Sequence, residues 1–345
     1  MRQLLTMATA VLIAVPAVAR VATIVQAQQV APPVAALTHV WTVEGPYTDV
    51  AADKESGAIY GLGEGGRVVD LDASGRIQRE LRLPDNDGDE LRLARLPDPA
   101  FLTFSLWTSD LRAYSRDGQP LWTYPRATGI NNVSAGDVVA GDRSDEVIVG
   151  YNGRTGMHVL DGRGRLLWES TSIAGVWHMA AGDVLGEAPP QVVATAAGGL
   201  LHIFGSDGTR RLVLDPGFYA QMIRVSNPRP AEASTMFVVG TPRDTVAGRS
   251  ITIAALSGKG AKTWRLDVPD EVIYSAPAAA GGRWFAFSTR SGRISVVDAV
   301  TGASIGEVQT PGPATLAWAG TDDGPLLVVA TGTSLIAFRA PNRIG

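Results

Sequence analysis

Cysteine is absent from all 345 residues. That excludes disulfides, thiolate metal sites and a lipidated N-terminal cysteine. Lysine is nearly absent as well; Lys54, Lys259 and Lys262 are the full set. No basic patch occurs, the net charge is −4 and the pI is near 5.6, which excludes nucleic acid as a partner class. The four histidines are not at metal-ligand spacing, so no metal site is expected from them. Neither H-E-x-x-H nor G-x-S-x-G is present. Helical periodicity is lacking after residue 27. What remains is 45% hydrophobic residues in short β-rich runs, punctuated by 39 glycines and 21 prolines. That pattern reads as all-β.

The N-terminus reads as a targeting segment. Arg2 supplies a positive charge, Leu4 to Val15 is apolar, and Pro16 breaks the run. Small-x-small sites follow at Ala17-Val18-Ala19 and Val25-Gln26-Ala27. Both suit signal peptidase, and cleavage after Ala27 is preferred because residues 21–25 are still largely apolar. An uncleaved anchor is the alternative, but Arg20 interrupts the run and leaves it short for a span. The expectation is a signal peptide over 1–27, a flexible leader over 28–36, one folded domain over 37–345, and no transmembrane span in the mature chain. The chain is then periplasmic or secreted, where a large core makes disulfides unnecessary.

Internal repetition decides the fold. A β-run, a glycine turn and a shorter run recur, with glycines at 75, 118, 164, 208, 260 and 302, spaced by 43, 46, 44, 52 and 42 residues. Trp122, Trp168 and Trp264 each stand four residues after their glycine; Arg79, Leu212 and Gly306 take that place elsewhere. Each of the six glycines is preceded by an alternating strand, an apolar run and a small-residue run, and a seventh such set ends the chain (small-residue runs TDVAAD, LRLARL, NVSAGD, HMAAGD, QMIRVS, SAPAAA and TLAWAG). Seven such sets at this period match four-stranded propeller blades, with small residues where blades crowd the axis. The seventh set lacks a fourth strand, and residues 37–43 are a strand without a blade. The sequence therefore predicts an all-β, seven-bladed β-propeller whose N-terminal strand completes the last blade.

Residues 273–302, IYSAPAAAGGRWFAFSTRSGRISVVDAVTG, resemble the PQQ-like (quinoprotein-type) propeller repeat. Residues 134–168, SAGDVVAGDRSDEVIVGYNGRTGMHVLDGRGRLLW, resemble the FG-GAP or VCBS-type repeat, and 180–205 echo them. The first resemblance implies PQQ chemistry and the second calcium held by a D-x-D-x-D-G-x-x-D loop. Only Asp137 and Asp145 match that loop, with Val139 and Gly141 where carboxylates belong; in the next blade Asp183 alone matches. Two carboxylates are few for a cation that takes six or more oxygens, so a structural turn without metal or cofactor is expected. Gly61-x-Gly63-x-x-Gly66 matches the dinucleotide string, but a strand follows it, so a hairpin turn is expected.

The repeat register places Tyr47, Asn131, Asn132, Trp177, His178, Tyr219, Gln221 and Tyr274 at or near the starts of inner strands, which begin on one face of a ring. Arg243 and Arg290 follow second strands, whose turns open on the same face. These ten residues are the candidate site at the channel mouth, and their aromatic, amide and guanidinium groups suit a protein loop or a carbohydrate. The catalytic residues are unknown; His178 is the one plausible general base if the protein is an enzyme. His158 and His202 occupy equivalent blade positions and read as packing residues. The 52-residue interval assigns blade 5 an insertion at 241–250, TPRDTVAGRS, expected to be mobile. The leading functional reading is an exported, non-catalytic propeller binding a protein or carbohydrate partner. A PQQ-dependent or other propeller enzyme and an FG-GAP-type lectin or adhesion module are the alternatives.

Overall fold

The repeat glycines close one kind of turn. Asp72, Ser115, Asp161, Gly205, Ser257 and Asp298 each accept, on their carbonyl, the N–H of the glycine three or four residues later. Those glycines lie in the left-handed region at φ +74 to +83°, and the strand pair slips by one residue beside each turn. A bulged hairpin of this type needs φ > 0 at that position, which glycine supplies without steric cost. The turn joins the third and fourth strands of each blade.

In the computed structural model, residues 36–340 are described apart from 54–55, 109, 126, 140, 142–143, 230–231, 244–249 and 278–281. The expected signal peptide, most of the leader and most of the 241–250 insertion lie outside the described residues. The strands form seven four-stranded antiparallel sheets. Blades 1 to 6 occupy residues 47–82, 90–124, 130–170, 176–214, 219–268 and 272–309. Blade 7 takes three strands from 315–339 and its fourth from Thr38–Glu44, which pairs antiparallel with Ser334–Arg339. The first strand of each blade touches those of both neighbours around a closed cycle. The seven-bladed ring and its closure by the N-terminal strand are as the repeat count predicted.

Composition changes from the axis outward for a physical reason. First strands are rich in alanine and serine. Second strands such as Glu146–Tyr151 and Gln191–Ala196 are buried along their whole length, because neighbouring blades cover both faces. Fourth strands such as Arg210–Leu214 expose alternate residues to solvent. All seven hydrophobic clusters draw from two adjacent blades, as where Val147 and Val149 of blade 3 meet Leu102 and Phe104 of blade 2. The core is a set of interfaces between blades.

The recurring tryptophan seals these interfaces. Trp41, Trp122, Trp168 and Trp264 lie against Gly75, Gly164, Gly208 and Gly302 of the next blade, so closely that a Cβ there would stand 2.7–2.8 Å from the indole. Trp41 Nε1 donates to the Ala73 carbonyl at 2.9 Å and Trp122 Nε1 to the Gly162 carbonyl at 3.1 Å, each two residues before its glycine. Arg79 departs from the tryptophan pattern yet makes the same bond, donating to the Arg116 carbonyl two residues before Gly118. The Gly61–Gly66 string forms the end of a strand and a 3₁₀ turn leading straight into the next strand, as expected.

Closure yields a test. Deleting residues 28–43 removes the outer strand of blade 7 together with Trp41, whereas deleting 28–35 removes neither. The first truncation is expected to lower the melting temperature by about 10 °C or more, the second by about 2 °C or less; equal melting of both with the parent would contradict closure.

Candidate functional site

The first strands are not regular. In five of the seven, pairing with the second strand slips by one residue near the start, between Tyr47 and Asp49, Ile130 and Asn132, Val176 and His178, Ala220 and Met222, and Val272 and Tyr274. A bulge of this kind re-aims side chains, and here it sorts them into three groups. Residues before the slip (Tyr47, Ile130, Val176, Ala220 and Val272) are buried between blades. The extra residues, Thr48, Asn131, Trp177, Gln221 and Ile273, are exposed or half-buried. Of the residues after the slip, Asn132, His178 and Tyr274 line the axis.

This sorting corrects one sequence expectation. Tyr47 is buried in the core between blades 7 and 1 and lines no site. The alternation phase at its strand places it on the packing side of the bulge. Arg243 and Arg290 follow second strands as expected, but each is held by an acid. Arg243 pairs with Asp215 at 2.8 Å, and Arg290 with Glu271 at 2.6 Å.

The remaining candidates fall into two sets. Asn132, His178 and Tyr274 line an axial cavity of about 280 Å³ to which all seven first strands contribute. Asn131, Trp177, Gln221 and Tyr219 stand at the strand starts above it. Trp177 and Tyr219 are 36% and 46% exposed. Two residues that sequence reasoning missed join them on this face: Leu106 and Trp107, in the turn after the second strand of blade 2, at 51% and 59%. Trp107 holds a left-handed backbone at φ +67°, unusual for a bulky residue. Its Nε1 donates to Asn131 Oδ1 at 2.5 Å, and Asn131 Nδ2 donates to the Val176 carbonyl at 2.9 Å. Asn131 therefore fixes the indole of blade 2 to blade 4 across blade 3. Beside Tyr219, the Arg243 guanidinium lies 5.5 Å from the ring centre.

Four charged residues near the axis were also missed. Asp49 is fully buried; Oδ1 accepts the Val50 N–H, and Oδ2 accepts the Leu91 N–H and Arg92 Nη1 at 2.8 and 2.9 Å. Arg92 Nη2 donates to Glu90 at 2.8 Å. Arg224 Nε donates to the Ser275 carbonyl at 2.8 Å, and its Nη1 donates to His178 Nε2. The available signal was an arginine within a first strand otherwise small and apolar, in LRLARL and QMIRVS.

Burial, followed by the fields of Arg224 and Arg92, pushes His178 well below its usual range. The lowered pKa favours a neutral ring, whose Nδ1 lies 3.2 Å from the Met179 carbonyl and whose two nitrogens are both approached by Arg224 Nη1. Burial lifts Tyr274 to about 12, so it remains a hydroxyl. His158 and His202 are both buried on third strands, and His158 Nδ1 meets the Tyr124 hydroxyl at 2.9 Å.

In the stretches resembling calcium loops, backbone N–H groups of the described residues are met by side chains of the following strand. Glu146 accepts the Val138 and Val139 N–H groups at 2.8 and 2.9 Å. Gln191, its equivalent in blade 4, accepts those of Val184 and Leu185 at 3.1 and 3.0 Å. Asp145 Oδ2 accepts the Arg95 N–H at 2.7 Å.

Asp49 gives the site a pH signature. Burial, then Glu90, raises its pKa to about 6 against the opposing pull of Arg92 and two backbone N–H groups. An acid raised on folding favours the folded state when protonated. Its contribution is complete below an unfolded value of about 4 and is lost as pH rises through about 6. Asp49→Asn removes that titration. The stability of the parent relative to the variant is expected to fall between about pH 4 and pH 7. A difference that does not vary with pH, measured by denaturant titration, would contradict the assignment.

No family model matches the chain, and no curated protein matches it. Solved structures do. BBS1N in complex with ARL6DN, soaked with lead, superposes with a TM-score of 0.63 at 12% identity, covering 90% of this chain and 99% of that one. The mercury-soaked form of the same complex gives 0.60 at 14% identity, covering 90% and 95%. At these identities the likeness is one of fold.

Proposed function

We propose that the chain is an exported, non-catalytic propeller that docks a protein partner on the face where its first strands begin. The observation that carries this reading is the exposed arc of Leu106, Trp107, Trp177 and Tyr219 over blades 2 to 5. Exposed aromatic side chains held on rigid strands lose little freedom on binding, and they are the residues that dominate protein interfaces. Asn131 pre-positions Trp107 at some cost in backbone strain, which a binding anchor would explain. A propeller of the same fold is bound to a protein in the BBS1N–ARL6DN complex, and that precedent favours a protein over a carbohydrate. The burial of His178 against Arg224 weakens the enzyme alternative. Export rests on the residues 1–27 pattern, and it requires the protein recovered from its native host to begin at Arg20 or Gln28.

The paired change Trp177→Ala and Tyr219→Ala tests the docking face. Both side chains stand on the surface, so the melting temperature is expected to stay within about 2 °C of the parent. Proteins cross-linked to the parent in the intact cell envelope and identified by mass spectrometry should be lost, with affinity falling about tenfold or more. An unchanged set of cross-linked proteins would refute the docking face. A glycan array signal lost with the same pair would replace the protein reading with a lectin.

A further inference from the structure

Charge is unevenly spread over the face where the first strands begin. Blades 1 and 2 present four segments there: the loops before their first strands, 44–46 and 83–89, and the turns after their second strands, 63–66 and 105–110. These segments hold Glu44, Glu64, Asp85, Asp87, Asp89 and Asp110 and no lysine or arginine. The equivalent segments of blades 3 and 4, 125–129, 152–156, 171–175 and 197–200, hold Arg126 and Arg154 and no acid. The acidic segments form one band. A Cβ on Gly63 would stand 2.8 Å from the Pro46 carbonyl oxygen, and one on Gly66 2.7 Å from that of Leu83. Ser105 Oγ donates to Asp89 Oδ1 at 2.6 Å and accepts the Asp89 N–H at 3.1 Å, which ties the 83–89 loop to the turn carrying Leu106 and Trp107. Two bases enter the band from the strands: Arg112 pairs with Asp87, and Arg82 lies beside Gly65. Arg67 and Arg92 are spent on other acids, Glu80 for the first, Asp49 and Glu90 for the second. Six carboxylates against two guanidiniums leave an excess of four negative charges. Among the described residues no three acids converge as a cation site requires.

We propose that the docked partner presents a basic segment, whose lysine and arginine side chains lie over blades 1 and 2 while an apolar side chain beside them packs on Leu106 and Trp107. This names the partner's chemistry and rests on the docking face argued above. Leu106 and Trp107 are the most exposed large apolar side chains among the described residues. They stand at the border of the acidic band, where the Trp107 N–H donates to the Ile130 carbonyl of blade 3 at 2.9 Å. One exposed ion pair contributes little. An excess of like charge along a band instead steers an oppositely charged partner and speeds its arrival. The same excess repels anionic lipid headgroups and nucleic acid, and it is indifferent to a neutral sugar.

Replacing Leu106 with the photo-reactive p-benzoylphenylalanine in the full chain, and illuminating intact cells of the native host, identifies the partner through mass spectrometry of the cross-linked peptide. That peptide is expected to carry a net positive charge. With the partner so identified and purified, raising salt from about 0.05 to 0.3 M should weaken binding about tenfold or more. Asp85→Asn together with Asp87→Asn should slow association about threefold or more, leave dissociation within about twofold and flatten the salt dependence. Asparagine keeps the side-chain shape and suits the left-handed backbone of Asp85 at φ +53°, so the variant reads charge. A neutral or acidic cross-linked peptide, or an affinity indifferent to salt and to both substitutions, would overturn the basic partner and leave the docking face standing. Cross-linking at Leu106 that yields no protein, or that survives Trp177→Ala with Tyr219→Ala, would remove the docking face and this proposal with it.

Discussion

The ring depends on one repeated contact, an indole seated on a left-handed glycine of the next blade. The glycine is required twice over. The hairpin turn needs its positive φ, and the neighbouring tryptophan needs the space a Cβ would fill. Local turn chemistry and blade-to-blade packing are thus encoded by the same residue. Where tryptophan is missing the contact is kept by other means. Leu81 and Leu214 approach Gly118 and Gly260, and Arg79 reaches the carbonyl that an indole would otherwise bond. Blade 7 has no such turn, because its fourth strand comes from the other end of the chain. There Ala36 bridges Glu307, Leu37 donates its N–H to the Glu307 carbonyl at 3.3 Å, and Leu37 buries its side chain between blades 6 and 7. The N-terminal strand therefore serves two interfaces, with Leu37 toward blade 6 and Trp41 toward blade 1.

The inner ring is tied differently. Asp49 links blades 1 and 2, Thr195 donates to the Gln221 carbonyl between blades 4 and 5, Arg224 reaches blade 6, and Ser288 donates to the Ala314 carbonyl of blade 7. Apolar locks sit at mid-radius and at the rim, and polar ties sit near the axis. That division follows from geometry. Inner strands crowd together and carry small residues, which leaves little apolar area to bury. Directional bonds then hold the blades in angle, and the residual space becomes the cavity.

The repeated contact also sets what the sequence could and could not disclose. The blade count, the strand order and the closing strand follow from the period, because each blade repeats one turn and one packing contact. The positions of Trp177, Tyr219, Asn131, Asn132, His178 and Tyr274 along the chain were legible as well, since they stand at the strand starts where the register put them. The first-strand bulge was not legible. It inserts one residue, and one residue exchanges the two faces of a strand. Tyr47 consequently packs in the core, while Asn132 and His178 turn to the axis and Asn131 and Trp177 to the surface. Arg224 escaped notice because it lies deeper along its strand than the starts from which the site was drawn, whereas Arg92 is the third residue of its strand, at the same depth as His178 and Tyr274, and was passed over. Trp107 escaped because it sits on a turn outside the repeat phrase.

The interblade lock is tested most directly by a double-mutant cycle between Trp122 and Gly164, with Gly198→Ala as the control because nothing lies within 4 Å of a Cβ placed there. Trp122→Ala alone is expected to destabilise by about 3–5 kcal/mol through lost packing. Gly164→Ala alone should cost about 2–4 kcal/mol, part from its positive φ and part from the collision with the indole at 2.7 Å. Together they should cost about 1–2 kcal/mol less than the sum, because removing the indole removes the collision and leaves only the backbone strain. Strict additivity, or a Gly164→Ala variant as stable as Gly198→Ala, would show that the tryptophan and the glycine do not depend on each other and that something else holds the blades in their ring.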